Sequence, residues 1–376
     1  MQPQSPLDST TTVDRPRELE TRFRDQYLDV LKGVAIVTVV LGHTFQRMTP
    51  DYGNYLPFRI LYSFHMPMFM FIAGMAMSGS IFARLQSDTP PFVDYVARRA
   101  IRLVVPFIVW AAIKFIWVRP ADSLLAWFSA VFHSPDNALW FLLVLFEISA
   151  VLAICATCAR IALRHLGTTA GPAAPVITLA VCLALGSAVF WFMRYLFPSL
   201  GPAIYFIKYV SLGILYQRIF TKGLPSSASI AALLLFAALS PFWRWNAPPA
   251  LDWHSSLIDG RIVTALFDFT VALTGTLGLV EIVRLLSRHA PGVMLAAMAF
   301  CGRRTLDIYA LHYYFLAFAP PVIAPILASL IASFAFREIP FGALVLFGDT
   351  RDRPLWFRAV SVWRAQRALE SRSNRL

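Results

Sequence analysis

An all-α bundle of membrane-spanning helices is the fold this sequence predicts, and three observations carry it. Only 14% of the 376 residues are charged while 58% are hydrophobic, against about 25% charged in an ordinary soluble domain. Mean hydropathy is +0.62, and the apolar residues gather in runs near the ~20 residues that a helix needs to cross a bilayer. Lys and Arg cluster in the short segments between those runs, as they do when charge sets the orientation of a membrane protein. The same facts exclude disulfide-built mini-proteins, collagen and disordered chains. A net charge of +12 is not a nucleic-acid signature here, because no polar scaffold presents it as one face.

The elements follow in order. Residues 1–26 are polar and mixed in charge, and are expected to form a cytoplasmic tail. Residues 27–347 are expected to form the transmembrane domain, with about ten spans at 27–45, 58–80, 101–118, 138–159, 174–197, 202–219, 228–246, 261–283, 305–319 and 321–336. The stretch 341–347 extends the tenth span or lies along the interface, and 348–376 is a basic cytoplasmic tail. With both termini inside, 24 of the 33 Lys and Arg residues fall in inner segments or at the inner ends of spans and 5 in outer segments or at the outer ends, the other four lying deeper within spans. That asymmetry predicts an N-in, C-in topology. Cys155 and Cys158 form a CxxC inside an apolar run, with Cys182 and Cys301 far away in sequence; they read as packing residues, and no metal site is expected.

The polar groups inside the spans are the functional signal. Asp29, Lys32, Glu147, Lys208, Asp268 and Asp307 interrupt apolar runs, together with His43, His65 and His312. Six such charges facing lipid would cost ~15 kcal/mol or more at 2.5–3.5 kcal/mol each. They must face the bundle interior or a wet cavity.

Within the first span, Lys32 and His43 are 11 residues apart, about three full helical turns, so they share a face ~16 Å apart. Asp29 lies one turn before Lys32, within pairing reach; the pair is either part of a site or a neutral couple at the interface, where Lys can snorkel. In the second span Pro67 should kink the helix beside His65 and leave a carbonyl near residue 63 without its partner. The ninth span brings His312 with Tyr309 one turn earlier, and its start is expected to be capped by Thr305. The expected topology puts the three imidazoles in the middle to outer half of the membrane. It puts Lys32, Arg98, Arg99 and Arg102 on the cytoplasmic side, so a donor from the cytosol would meet an acceptor outside.

These segments resemble the acyltransferase family 3 membrane proteins. The matching stretches are Tyr27-Leu28-Asp29-Val30-Leu31-Lys32-Gly33 leading to Leu41-Gly42-His43, and Ser63-Phe64-His65-Met66-Pro67 followed by Gly74. Further on come Arg98-Arg99 and Arg102-Leu103 before Pro106, Leu139-Trp140-Phe141-Leu142, and Thr305-Leu306-Asp307-Ile308-Tyr309 to His312. The likeness runs in order over residues 25–347 and is closest to the fucose 4-O-acetylase-like branch. Many members have Arg where this chain has Lys32, which keeps the charge but loses the planar fork for bidentate contacts.

The resemblance implies a ten-helix core and transfer of an acyl group, commonly acetyl from acetyl-CoA, to a sugar hydroxyl of a surface or lipid-linked glycan. It makes His43 the main catalytic candidate. A neutral imidazole suits such a reaction as general base or as acyl acceptor, and a carboxylate would orient the ring. Glu147, Asp268 and Asp307 are open candidates for that role, with His65 and His312 as further catalytic groups. Lys32, Arg98, Arg99 and Arg102 are candidates for the CoA phosphates, although positive-inside topology alone also explains the arginines. The expected partners are acyl-CoA, a carbohydrate acceptor, the lipid bilayer and polysaccharide-assembly proteins, at the bacterial inner membrane. No bound cofactor is expected. The rival class is a transporter or flippase that uses the same buried charges as a substrate path.

Overall fold

The computed structural model describes residues 15–86, 92–117, 123, 125–127, 139–166, 173–193, 200–245, 248–249 and 260–349. All regular structure among them is helical. The chain forms α1 (Arg15–Met48), α2 (Leu56–Tyr62), α3 (His65–Gln86), α4 (Phe92–Trp117), α5 (Trp140–Leu166) and α6 (Ala174–Met193). It continues through α7 (Gly201–Ile219), α8 (Ser226–Leu239), α9 (Gly260–Leu286), α10 (Gly292–Arg303), α11 (Thr305–Phe315), α12 (Ile323–Glu338) and α13 (Gly342–Phe347). The expected cytoplasmic tail after residue 349 lies outside the described residues, as does much of the expected outer segment 119–137.

Five stretches are long and apolar enough to cross a membrane: Gln26–Met48, Leu56–Leu85, Trp140–His165, Ala174–Met193 and Gly260–Leu286. The other five expected spans correspond to α4, α7, α8, α11 and α12, which are shorter or more polar. On α6, Ile177, Val181, Leu185 and Val189 are all exposed at four-residue intervals. An apolar stripe left open at helical spacing is a lipid-facing surface.

Two close helix crossings hold the centre. α1 packs along α10, and α3 along α7. A methyl group on Gly33 would run into the carbonyl of Met298, and one on Gly302 into that of Asp29. Gly74 and Gly213 meet Val210 and Phe71 of the facing helix in the same way. Small residues permit this approach, and between helices in lipid such van der Waals contact replaces the hydrophobic drive. Buried Leu31, Ile36, Met68, Met70, Phe71 and Tyr209 fill the seams.

Several boundaries differ from the sequence reading. α1 begins at Arg15, inside the expected tail. The second span is not one kinked helix but two, separated at Ser63 and Phe64. Pro67 lies in the first turn of α3, where a missing amide hydrogen costs nothing. α10 occupies a segment expected to be a cytoplasmic loop; at 12 residues it is too short to stand out as a span. Residues 341–347 do not prolong α12. They form α13, which docks on α4 through a hydrogen bond from Trp110 Nε1 to the Leu346 carbonyl, 2.9 Å. Thr305 does not cap α11: its hydroxyl donates backward to the carbonyl of Gly302 at 2.6 Å, closing the end of α10.

Candidate active site

The first part of the site is a cavity of about 720 Å³. Its walls carry Lys32 from α1, Arg98, Arg99 and Arg102 from α4, Arg303 at the end of α10 and Arg337 from α12. All four residues expected to meet an anionic donor therefore line one cavity. Three carboxylates share it, and each has a cationic neighbour. Asp29 takes Lys32 at 3.1 Å and Arg303 at 3.7 Å. Asp307 takes both Arg337 Nη2 and Nε, at 2.8 and 2.9 Å, and Asp349 takes Arg337 Nη1 at 3.1 Å. With six cations against three carboxylates, the cavity has a net positive lining and suits a polyanion.

Local structure sets these positions. On α4, Arg98, Arg99 and Arg102 fall within one turn, and the Arg99 guanidinium lies 5.4 Å from the centre of the Tyr95 ring. The chain after α13 turns through Gly348 at φ +62, where a side chain would collide with the Arg102 carbonyl. That turn brings Asp349 back to Arg337. The Asp307–Arg337 pair, 2% and 7% exposed, fastens α11 to α12 at the cavity wall. Bidentate guanidinium–carboxylate geometry is the strong form of such a pair.

The second part is a group of imidazoles beyond the cavity. The His43 and His312 rings lie 5.3 Å apart between centroids and are tilted by 33°, and His65 lies within electrostatic range of His43. His43 Nδ1 is 2.8 Å from Gln46 Oε1, one turn along α1. A carbonyl oxygen can only accept, so Nδ1 carries the hydrogen and Nε2 presents its lone pair. His312 is held in the same way: its Nδ1 meets the Ile308 and Tyr309 carbonyls at 3.0 and 2.9 Å. Its Nε2 is buried with no hydrogen-bond partner among the described residues. His65 Nδ1 meets the Leu61 carbonyl at 3.2 Å, just before the break between α2 and α3, and its ring packs against Tyr62 at 4.3 Å.

An aromatic partition joins the two parts. Phe69, Phe141 and Tyr309 line the cavity; Phe141 lies 4.6 Å from Phe69 and 5.6 Å from Tyr309. Tyr309 is in turn 6.2 Å from His312. One side chain thus borders both the cationic cavity and the imidazoles.

None of the three carboxylates considered for orienting His43 does so. Asp307 is taken up by Arg337. Asp268 accepts from Trp243 and interacts with Lys208, whose ammonium lies 4.1 Å from the Tyr205 ring centre. Glu147 Oε2 is buried in α5 without a hydrogen-bond partner among the described residues. The orienting group is instead the neutral amide of Gln46, which its three-residue spacing from His43 could have revealed. The sequence also gave no reason to separate Arg337 from the other inner charges; only its buried contact with Asp307 does that.

These features place the chain among polytopic helical membrane proteins with a polar interior. Comparison with known proteins narrows the class. A family model described as an acyltransferase domain matches residues 25–347, and the chain belongs to that family, acyltransferase family 3. It is similar to Nodulation protein NolL of Sinorhizobium fredii (strain NBRC 101917 / NGR234), 38% identical over 94 residues, which are 24% of each chain. It is also similar to Nodulation protein NolL of Mesorhizobium japonicum (strain LMG 29417 / CECT 9101 / MAFF 303099), 34% identical over 101 residues, 26% of this chain and 25% of that protein. The chain spans about a quarter of the length of these curated relatives. No solved structure matches it.

Proposed function

We propose that this protein is an integral-membrane O-acyltransferase that moves an acyl group, acetyl in the first instance, from acyl-CoA to a sugar hydroxyl. The acceptor is a surface or extracellular polysaccharide or its lipid-linked precursor, and the working place is the bacterial inner membrane beside polysaccharide-assembly proteins. The observation that carries this reading is the arrangement along α1, with Lys32 in a cationic cavity and His43, three turns further, in an imidazole cluster. A CoA donor has phosphates at one end and a thioester at the other, and so calls for both environments at a distance from each other.

In this reading the cavity cations hold the donor phosphates. His43 Nε2 takes the proton of the acceptor hydroxyl as its oxygen attacks the thioester carbonyl. Gln46 keeps Nδ1 protonated, so that Nε2 is the atom free to act. Membership of an acyltransferase family supports the group-transfer chemistry.

The test is proton NMR of surface glycan from cells carrying wild-type protein, His43→Ala or neither, at matched membrane expression. O-acyl signal with wild type alone is the expected result. Full signal with His43→Ala removes the base assignment. Unchanged acylation with impaired glycan export in cells lacking the protein would support a transporter instead.

A further inference from the structure

We infer that His312 is a second catalytic residue, serving the donor side of the reaction while His43 serves the acceptor side; the inference rests on the acyltransferase reading above. Three observations converge. His312 is 3% exposed, yet its Nε2 has no hydrogen-bond partner among the described residues. Two backbone carbonyls fix the hydrogen on Nδ1, so the unpartnered atom is a lone pair of set identity. The ring lies between His43, 5.3 Å away, and Tyr309, 6.2 Å away, whose side chain borders the cationic cavity. A histidine kept only for packing has no use for a buried acceptor left unpaired, which weakens the fold. His65 does not show this feature.

The role follows from what His43 lacks. No carboxylate reaches it among the described residues, so nothing anionic stabilises the imidazolium that forms when it takes a proton. A lone pair on a neighbouring ring relieves that state by accepting the proton in turn. The acceptor O–H bond breaks and its oxygen bonds to the acyl carbon. The C–S bond of the thioester breaks with its electron pair going to sulfur. The proton passes from the hydroxyl to His43 Nε2, then through one bridging water to His312 Nε2, then to the departing thiolate. Ester and free thiol are the products, both rings end neutral, and no further reactant is consumed.

The variant for the test is His312→Asn, because the asparagine amide hydrogen occupies the place of Nδ1–H and keeps a donor for the Ile308 and Tyr309 carbonyls while removing Nε2. The purified full-length protein, reconstituted in vesicles, is assayed with acetyl-CoA and with the acetyl thioester of a nitrothiophenol, whose thiolate departs without a proton. With acetyl-CoA, kcat is expected to fall ~100-fold or more, the range of general acid–base catalysis, with KM within about twofold. With the nitrothiophenyl donor the loss should shrink to less than about tenfold. Activity within about threefold of wild type for acetyl-CoA overturns the assignment, and so does an equal loss with both donors, which would mark a structural role. Failure of the wild type itself to acylate would count against the acyltransferase reading.

Discussion

At one end of the site, cations from four helices surround a wide cavity; at the other, two imidazoles meet with every Nδ1 hydrogen spoken for. The side chain of Lys32 is 33% exposed and that of Arg303 55%, while His312 is 3% exposed. The difference reflects the ranges of the two kinds of interaction. Attraction between a polyanion and a positive lining falls off slowly and tolerates shifts of an ångström, so several mobile charges serve together. Proton transfer needs heavy atoms at hydrogen-bond distance, and the imidazoles are accordingly fixed to backbone carbonyls or to Gln46. The cationic end should be redundant, and the imidazole end should not.

Substitutions can break that comparison, and the largest effect belongs to His43. His43→Ala should lower acyl transfer by a factor on the order of 10²–10⁴, read as O-acyl signal per unit of membrane protein. Next comes the one cation that is not interchangeable. Arg337→Ala leaves Asp307 buried without its bidentate partner, and losing one member of such a pair costs about 3–5 kcal/mol. A clear fall in the thermal unfolding midpoint of the detergent-solubilised protein is expected, and an unchanged midpoint would return Arg337 to the redundant set. Gln46→Ala should reduce kcat by about two- to tenfold, the worth of one hydrogen bond of ~0.5–1.5 kcal/mol, with KM for the donor unchanged. Arg98→Ala alone should have the smallest effect, raising donor KM by about two- to fivefold as expected for an exposed charge. The rise should be larger at low salt, since screening shortens the reach of surface charges.

Much of this arrangement is legible in sequence because helices have a fixed pitch. The 11-residue step from Lys32 to His43 required only that α1 be continuous, and it is continuous from Arg15 to Met48. The gathering of Lys32 with Arg98, Arg99 and Arg102 in one cavity agrees with the sequence expectation that these charges share one side of the membrane. What the sequence hid depends on contacts between distant segments. Asp307 looked available to an imidazole five residues on, but besides its neighbour Arg304 it holds Arg337, 30 positions away, in two hydrogen bonds. α10 is short and begins after Pro291, so hydropathy did not reveal it, although the Gly33 and Gly302 contacts make it the closest companion of α1. The break between α2 and α3 was marked by Pro67, yet the proline accompanies a new helix rather than bending an old one.

The continuity of α1 has a consequence for which donors fit. A single rigid rod carries both the anchoring ammonium and the reacting imidazole, so the span between them, ~16 Å by helical rise, is set by covalent structure and cannot adapt to the molecule that enters. Such a rod works as a gauge. Among donors anchored by their phosphates it favours those whose acyl group hangs on an arm of matching reach and holds the thioester of a shorter or longer arm out of register, whereas a small donor with no anchor is not measured by it. One residue inserted between Lys32 and His43 would advance the gauge by ~1.5 Å and turn its far end by ~100°, so this chain can retune its donor only in whole helical turns.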